Sequence, residues 1–102
     1  MSDADELPDG LEHVRTTDEF TVQSVPAGLL RAHRVAEGVW GRLVVRAGVV
    51  TLVFEDDPNT SVVVAAGGRA VIAPGRPHHV EPDDDAVFAV EFHRHARPAS
   101  AT

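Results

Sequence analysis

Six histidines, sixteen carboxylates and no cysteine set the chemistry open to this chain of 102 residues. Without thiols there is no disulfide scaffold, no thiol nucleophile and no zinc–thiolate site, so any metal must be held by His, Asp, Glu or water. One histidine is delivered with particular definition. The stretch Gly67-Gly68-Arg69-Ala70-Val71-Ile72-Ala73-Pro74-Gly75-Arg76-Pro77-His78-His79-Val80 opens on a glycine turn and continues as a short apolar run. It turns again at Pro74-Gly75, and Pro77 holds it extended before the histidine pair. Strand side chains alternate, so His78 shares a face with Val80 and His79 takes the other. Only one of the two can point inward with the apolar residues, and His78 is expected to be that one.

The other candidates are less constrained. His13 lies in an acidic N-terminal stretch and is expected to be solvated. His33 falls between Arg31 and Arg34 on a strand expected over Leu29–Val35, where a surface role and a site role are both open. Glu91 and His93 share one face of the last strand, while Phe88, Val90 and Phe92 share the other and look like the inner set. Asp56-Asp57-Pro58-Asn59-Thr60 is acidic but lacks the alternating oxygen ligands and final Glu of a calcium loop, so it reads as a solvated turn. Trp40, the single tryptophan, reads as a packing residue.

These side chains need a scaffold, and the sequence describes one. Residues 1–15 are expected to be an acidic flexible tail, 16–95 one domain, and 96–102 a second flexible tail. Strands are expected over Phe20–Val25, Leu29–Val35, Val39–Arg46, Val49–Glu55, Ser61–Ala66, Ala70–Ala73 and Ala86–His93, separated by glycine- and proline-rich turns. Ala47-Gly48 is a tight hairpin connection, with Gly48 expected at positive φ. No segment has helical periodicity, so the expected class is all-β and antiparallel, a sandwich or barrel. The net charge of −7, with arginine as the only basic residue type, argues against a nucleic-acid partner. No apolar run reaches the ~18 residues of a membrane span, so a soluble, cytoplasmic protein is expected.

Two segments resemble the cupin pattern. Gly67, Pro74, Gly75 and His78 follow the second cupin motif with the proline displaced by one position, and Pro82 stands near the place of its terminal Asn. Gly48 fits the glycine of the first motif, whose usual Glu is replaced by Gly41; His33 lies one residue from that motif's first histidine. A closer resemblance rests on three runs: Pro26-Ala27-Gly28-Leu29-Leu30-Arg31-Ala32-His33, then Gly38-Val39-Trp40-Gly41-Arg42-Leu43-Val44-Val45-Arg46-Ala47-Gly48, then Pro77-His78-His79-Val80-Glu81. Together they resemble the small cupin domain of YeaR-like proteins, also found at the N-terminus of TehB tellurite-resistance proteins. The methyltransferase domain of the longer TehB proteins has no counterpart in these runs.

The resemblance implies a double-stranded β-helix, a jelly-roll barrel, with His33 and His78 facing each other inside. Two neutral imidazoles suit zinc, nickel, iron or manganese. Glu81, Glu91 and His93 are the candidates for a third ligand or for the pocket wall. Arg42 is either an anion contact or the partner of Glu91 or Glu55. The implied function is a metal-binding cupin that takes a small anionic ligand, in a stress or oxyanion response. A metal-free binding or sensor module and a purely structural dimer are the alternatives, and no reaction is named by the sequence. A homodimer is expected because Val62-Val63-Val64-Ala65-Ala66 and Ala86-Val87-Phe88-Ala89-Val90 do not alternate and should leave apolar outer faces.

Overall fold

The structure, a computed structural model, describes residues 7–8, 10–30, 38–57 and 60–95. The described strands are β1 (Leu11–Thr16), β2 (Val39–Ala47), β3 (Val49–Phe54), β4 (Ser61–Ala65), β5 (Arg69–Ile72), β6 (His78–Pro82) and β7 (Val87–His95). One turn of 3-10 helix spans Ala27–Leu30. All pairing is antiparallel and gives two sheets, β1-β7-β2-β5 and β4-β3-β6. The sheets are hydrogen-bonded separately, so the described strands form a two-sheet arrangement and not one closed barrel.

Alternation sorts each strand into two faces. In the four-stranded sheet, Leu43 and Val45 lie opposite Val90 and Phe88, and Leu43 lies opposite Ala70 on the other side. Val50, Leu52 and Phe54 of β3, Val64 of β4 and Val80 of β6 supply the facing wall. These residues are buried, all but Val90 in one cluster, and Leu43, Val50, Leu52 and Phe88 are 0% exposed. Each large apolar side chain so placed contributes about 1.5–3 kcal/mol to folding. The β2–β3 connection turns at Gly48 with φ +66°, as the hairpin reading requires.

Three expected segments differ. Leu11–Thr16, which but for Thr16 falls in the 1–15 stretch expected to be a flexible tail, forms edge strand β1 on β7. Its hydrophobic pattern is hidden because the strand is almost wholly exposed, and charge on an exposed edge discourages pairing with other chains. Phe20–Val25 is not a strand. Phe20 alone bridges Phe88, and the chain then turns: the Thr21 N–H donates to Ser24 Oγ at 2.8 Å, and the Val25 N–H to the Thr21 carbonyl at 2.9 Å. Short hydroxyl side chains here compete with a ladder. The start of the expected Leu29–Val35 strand is instead the 3-10 turn, closed by the Leu29 N–H on the Pro26 carbonyl at 2.9 Å. The rest of that strand, His33 with it, and the 96–102 tail lie outside the described residues.

Candidate functional site

The corner before β6 is fastened on both sides. Gly75 turns with φ +70°. The Arg76 guanidinium lies 3.8 Å over the Phe54 ring, and its Nε donates to the Asp56 carboxylate at 3.1 Å. The Pro77 carbonyl accepts the Glu55 N–H at 2.8 Å. β6 then pairs with β3, placing His78 opposite Phe54 and Val80 opposite Leu52. His78 is 1% exposed and faces inward. Its Nδ1 is 2.9 Å from the Arg76 carbonyl. A carbonyl only accepts, so Nδ1 carries a proton.

His78 lines a cleft of about 240 Å³ between the two sheets. Ile72, Val80, Val90 and Phe92 form its walls, and Phe20 with the 3-10 turn residues Gly28 and Leu29 borders it. The lining is apolar apart from His78, Thr17 and Arg15. Thr17 Oγ1 is already engaged, accepting the Val90 N–H at 3.0 Å and donating to the Asp18 carbonyl at 2.9 Å. Arg15 is an exposed residue of β1 whose guanidinium stands 5.5 Å from the centre of the Phe92 ring. Sequence reasoning missed Arg15 because it sits in what reads as a tail.

The remaining candidates stand on outer faces. Arg42 pairs with Glu91, Trp40 with His93, and His13 with His93, all on the side of the four-stranded sheet away from the core. Arg42 donates to Glu91 through Nε at 2.8 Å and approaches the same oxygen through Nη2 at 2.7 Å, so the ion pair foreseen for it is formed with Glu91. His93 Nε2 donates to that oxygen at 3.1 Å, and the His93 ring meets His13 edge-on at 5.3 Å. Burial acts to raise the Glu91 pKa, but the hydrogen bonds from His93 and Arg42 outweigh it and hold the carboxyl below its usual value. On the outer face of the other sheet, His79 lies between two carboxylates. Its Nδ1 faces Glu55, and its Nε2 is 2.8 Å from Glu81. The bond to Glu81, helped by Glu55, raises the His79 pKa against the opposing effect of burial.

The structure thus places His78 inside and Glu81, Glu91, His93 and Arg42 outside; it joins Arg42, Glu91 and His93 to one another but brings none of them to His78. Among the described residues no three of His, Cys, Asp and Glu converge as a metal would require. The described residues alone therefore do not fit a complete metal centre. The two carboxylates at His79 approach opposite nitrogens of one ring, which suits an imidazolium and not a shared cation.

Two antiparallel sheets with a histidine-walled cleft between them define an all-β domain. By sequence the chain belongs to the TehB-like family, whose domain profile matches residues 15–90. It is 31% identical over 96 residues to an uncharacterised Escherichia coli K12 protein, YeaR, covering 85% of this chain and 81% of that one. It superposes on the crystal structure of an E. coli K12 protein with a TM-score of 0.84 at 29% identity, over 90% of this chain and 98% of the other. It also superposes on TehB from Haemophilus influenzae with a TM-score of 0.77 at 21% identity, over 85% of this chain and 32% of TehB. The TehB likeness is one of fold, and this chain corresponds to about a third of that protein. No helix among the described residues is long and apolar enough to cross a membrane.

Proposed function

We propose that the chain is a small-molecule binding module, that its ligand occupies the cleft beside His78, and that its two sheets are the halves of a cupin jelly roll. The observation that carries this reading is the cleft itself: about 240 Å³ of largely apolar space reaching a buried histidine. Small-molecule sites combine apolar walls with a few placed polar groups in this way, and pockets for drug-sized ligands run ~300–1,000 Å³. The space here suits a compact metabolite. The family relationship keeps a small oxidised anion of the tellurite type, and a role in stress response, within the reading.

The test is a titration of isotope-labelled protein with benzoate and with benzamide, its neutral isostere. Amide resonances of Ile72, Val80 and Val90 should move saturably with at least one of them. Leu29→Trp, which fills the mouth from the 3-10 turn, should abolish the response. No movement with either probe, or an undiminished response in Leu29→Trp, refutes the proposal.

One observation favours a second reading, a divalent metal on His78 and His33. Metal-ligating histidines ordinarily donate their other ring N–H to a carbonyl or carboxylate, as His78 Nδ1 does to Arg76. Such an ion would supply Lewis acidity, and His78 would present Nε2 to it. Equal metal loads in wild type and His78→Ala, measured by elemental analysis, refute this reading, and His79→Ala should match wild type.

A further inference from the structure

We infer that Arg15 is the anion-selecting residue of the cleft, and that the ligand class is a compact monocarboxylate with a flat or short apolar body. The inference rests on the cleft reading above and adds the charge and shape of what enters.

Its first support is a register shift. β1 pairs with β7 as His13 opposite His93, then Arg15 opposite Phe92, then Thr16 opposite Glu91. One extra residue, Val14, is thereby accommodated between His13 and Arg15. Strict alternation from an outward His13 would turn Val14 inward and Arg15 outward. The bulge reverses this: Val14 is 46% exposed, and Arg15 takes the level of the inward-facing Phe92. Bulges recur where a side chain must be re-aimed next to a site. An arginine has thus displaced a valine from the rim of an apolar cleft, the opposite of what packing alone favours.

The second support is electrostatic. Arg42, Arg46 and Arg76 are each held by a carboxylate, whereas Arg15, like Arg69 and Arg94, makes no ion pair among the described residues, and of these three only Arg15 lines the cleft. Asp18 borders the shallow depression on the other side of Arg15 but does not bridge to it. In a chain of net charge −7, an arginine with no carboxylate partner among the described residues, at the mouth of a cleft, is a local attractor for anions. Guanidinium geometry matches a carboxylate through two parallel N–H···O bonds. The guanidinium stands 5.5 Å from the centre of the Phe92 ring, and the same ring forms part of the cleft wall, so a carboxylate bound to Arg15 would carry its apolar part inward.

The test uses the same two probes. Wild type should bind benzoate about tenfold more tightly than benzamide, and this preference should shrink as ionic strength rises, because the guanidinium is exposed. Arg15→Gln should keep its amide spectrum, bind benzamide as wild type does, and lose the preference. Arg15→Lys should keep part of it. Equal binding of the two probes by wild type overturns the anion inference and leaves the cleft reading standing. An unchanged preference in Arg15→Gln overturns the assignment to Arg15. Absence of binding by both probes, or binding that survives Leu29→Trp, overturns the cleft reading and this inference with it.

Discussion

Replacing Gly48 by alanine tests a close backbone approach. Gly48 has φ +66°, and a Cβ placed on it would lie 2.6 Å from the Ala86 nitrogen, 2.7 Å from the Ala86 Cα and 2.5 Å from Asp83 Oδ1. The Asp83 carboxylate could swing away, but Ala86 is buried backbone, held by its N–H on the Asp83 carbonyl at 3.2 Å. Two penalties therefore combine. A left-handed conformation costs an L-residue about 1–2 kcal/mol, and forcing extra volume into a packed site costs about 1–3 kcal/mol. Their sum is about 2–5 kcal/mol, against a total stability of ~5–15 kcal/mol for an ordinary domain. Gly67 provides the control. Its φ is +88°, but a Cβ there would meet nothing within 4 Å, so Gly67→Ala should show only the conformational part. Urea unfolding should therefore rank wild type above Gly67→Ala above Gly48→Ala, with Gly48→Val lowest because branching adds a further clash. Equal midpoints for Gly67→Ala and Gly48→Ala would refute the reasoning, since the two differ in surroundings and not in backbone conformation.

Two further outcomes are expected. The raised pKa of His79 adds stability that is fully present below the unfolded value of about 6.5 and is lost as pH rises through the higher folded value. His79→Gln should flatten that part of the stability curve, and a wild-type curve with no decline there contradicts the His79–Glu81 and His79–Glu55 bonds. Arg76→Ala should lower stability by only about 1 kcal/mol, because its ion pair is partly exposed, but it should shift the ring resonances of His78 by loosening the corner. An unchanged His78 spectrum would show that the corner does not depend on Arg76.

What could be read from the sequence was whatever period two and turn chemistry encode. β2, β3 and β5 follow alternation, β4 and β7 stand out as apolar runs between turns, and the choice of His78 over His79 follows from one alternation step beside Val80. β1 could not be read the same way: it is an exposed edge with a bulge, so both its polarity and its period deny the strand signal. Arg15 was lost with it. The outward placement of Glu91 and His93 did follow from Phe88, Val90 and Phe92 being inner, and alternation likewise turned Glu81 away from His78. The homodimer was expected from surplus apolar surface. Part of that surplus is absorbed within the chain, where Ala89 and His93 are buried despite lying outward, while Val63 on β4 stays 68% exposed. Cross-strand neighbours decide such burial, and they are set by a register that no local pattern displays.

The strand order also dictates when the molecule can be finished. β3, β4 and β6 pair among themselves, so the three-stranded sheet has every partner it needs once the chain has been made as far as Pro82. The four-stranded sheet does not. β1 and β2 both pair with β7, and Leu11 waits for His95. Of the described strands, β1 is made first and its partner last. Until β7 arrives, Leu43 and Val45 have only β5 beside them, and the long edge of β2 is open to other nascent chains. Pairing between segments far apart in sequence makes for slow closure, and the interval before it is when such a chain is most exposed to aggregation. Nine-residue β7 is thus the keystone of synthesis as well as of the sheet.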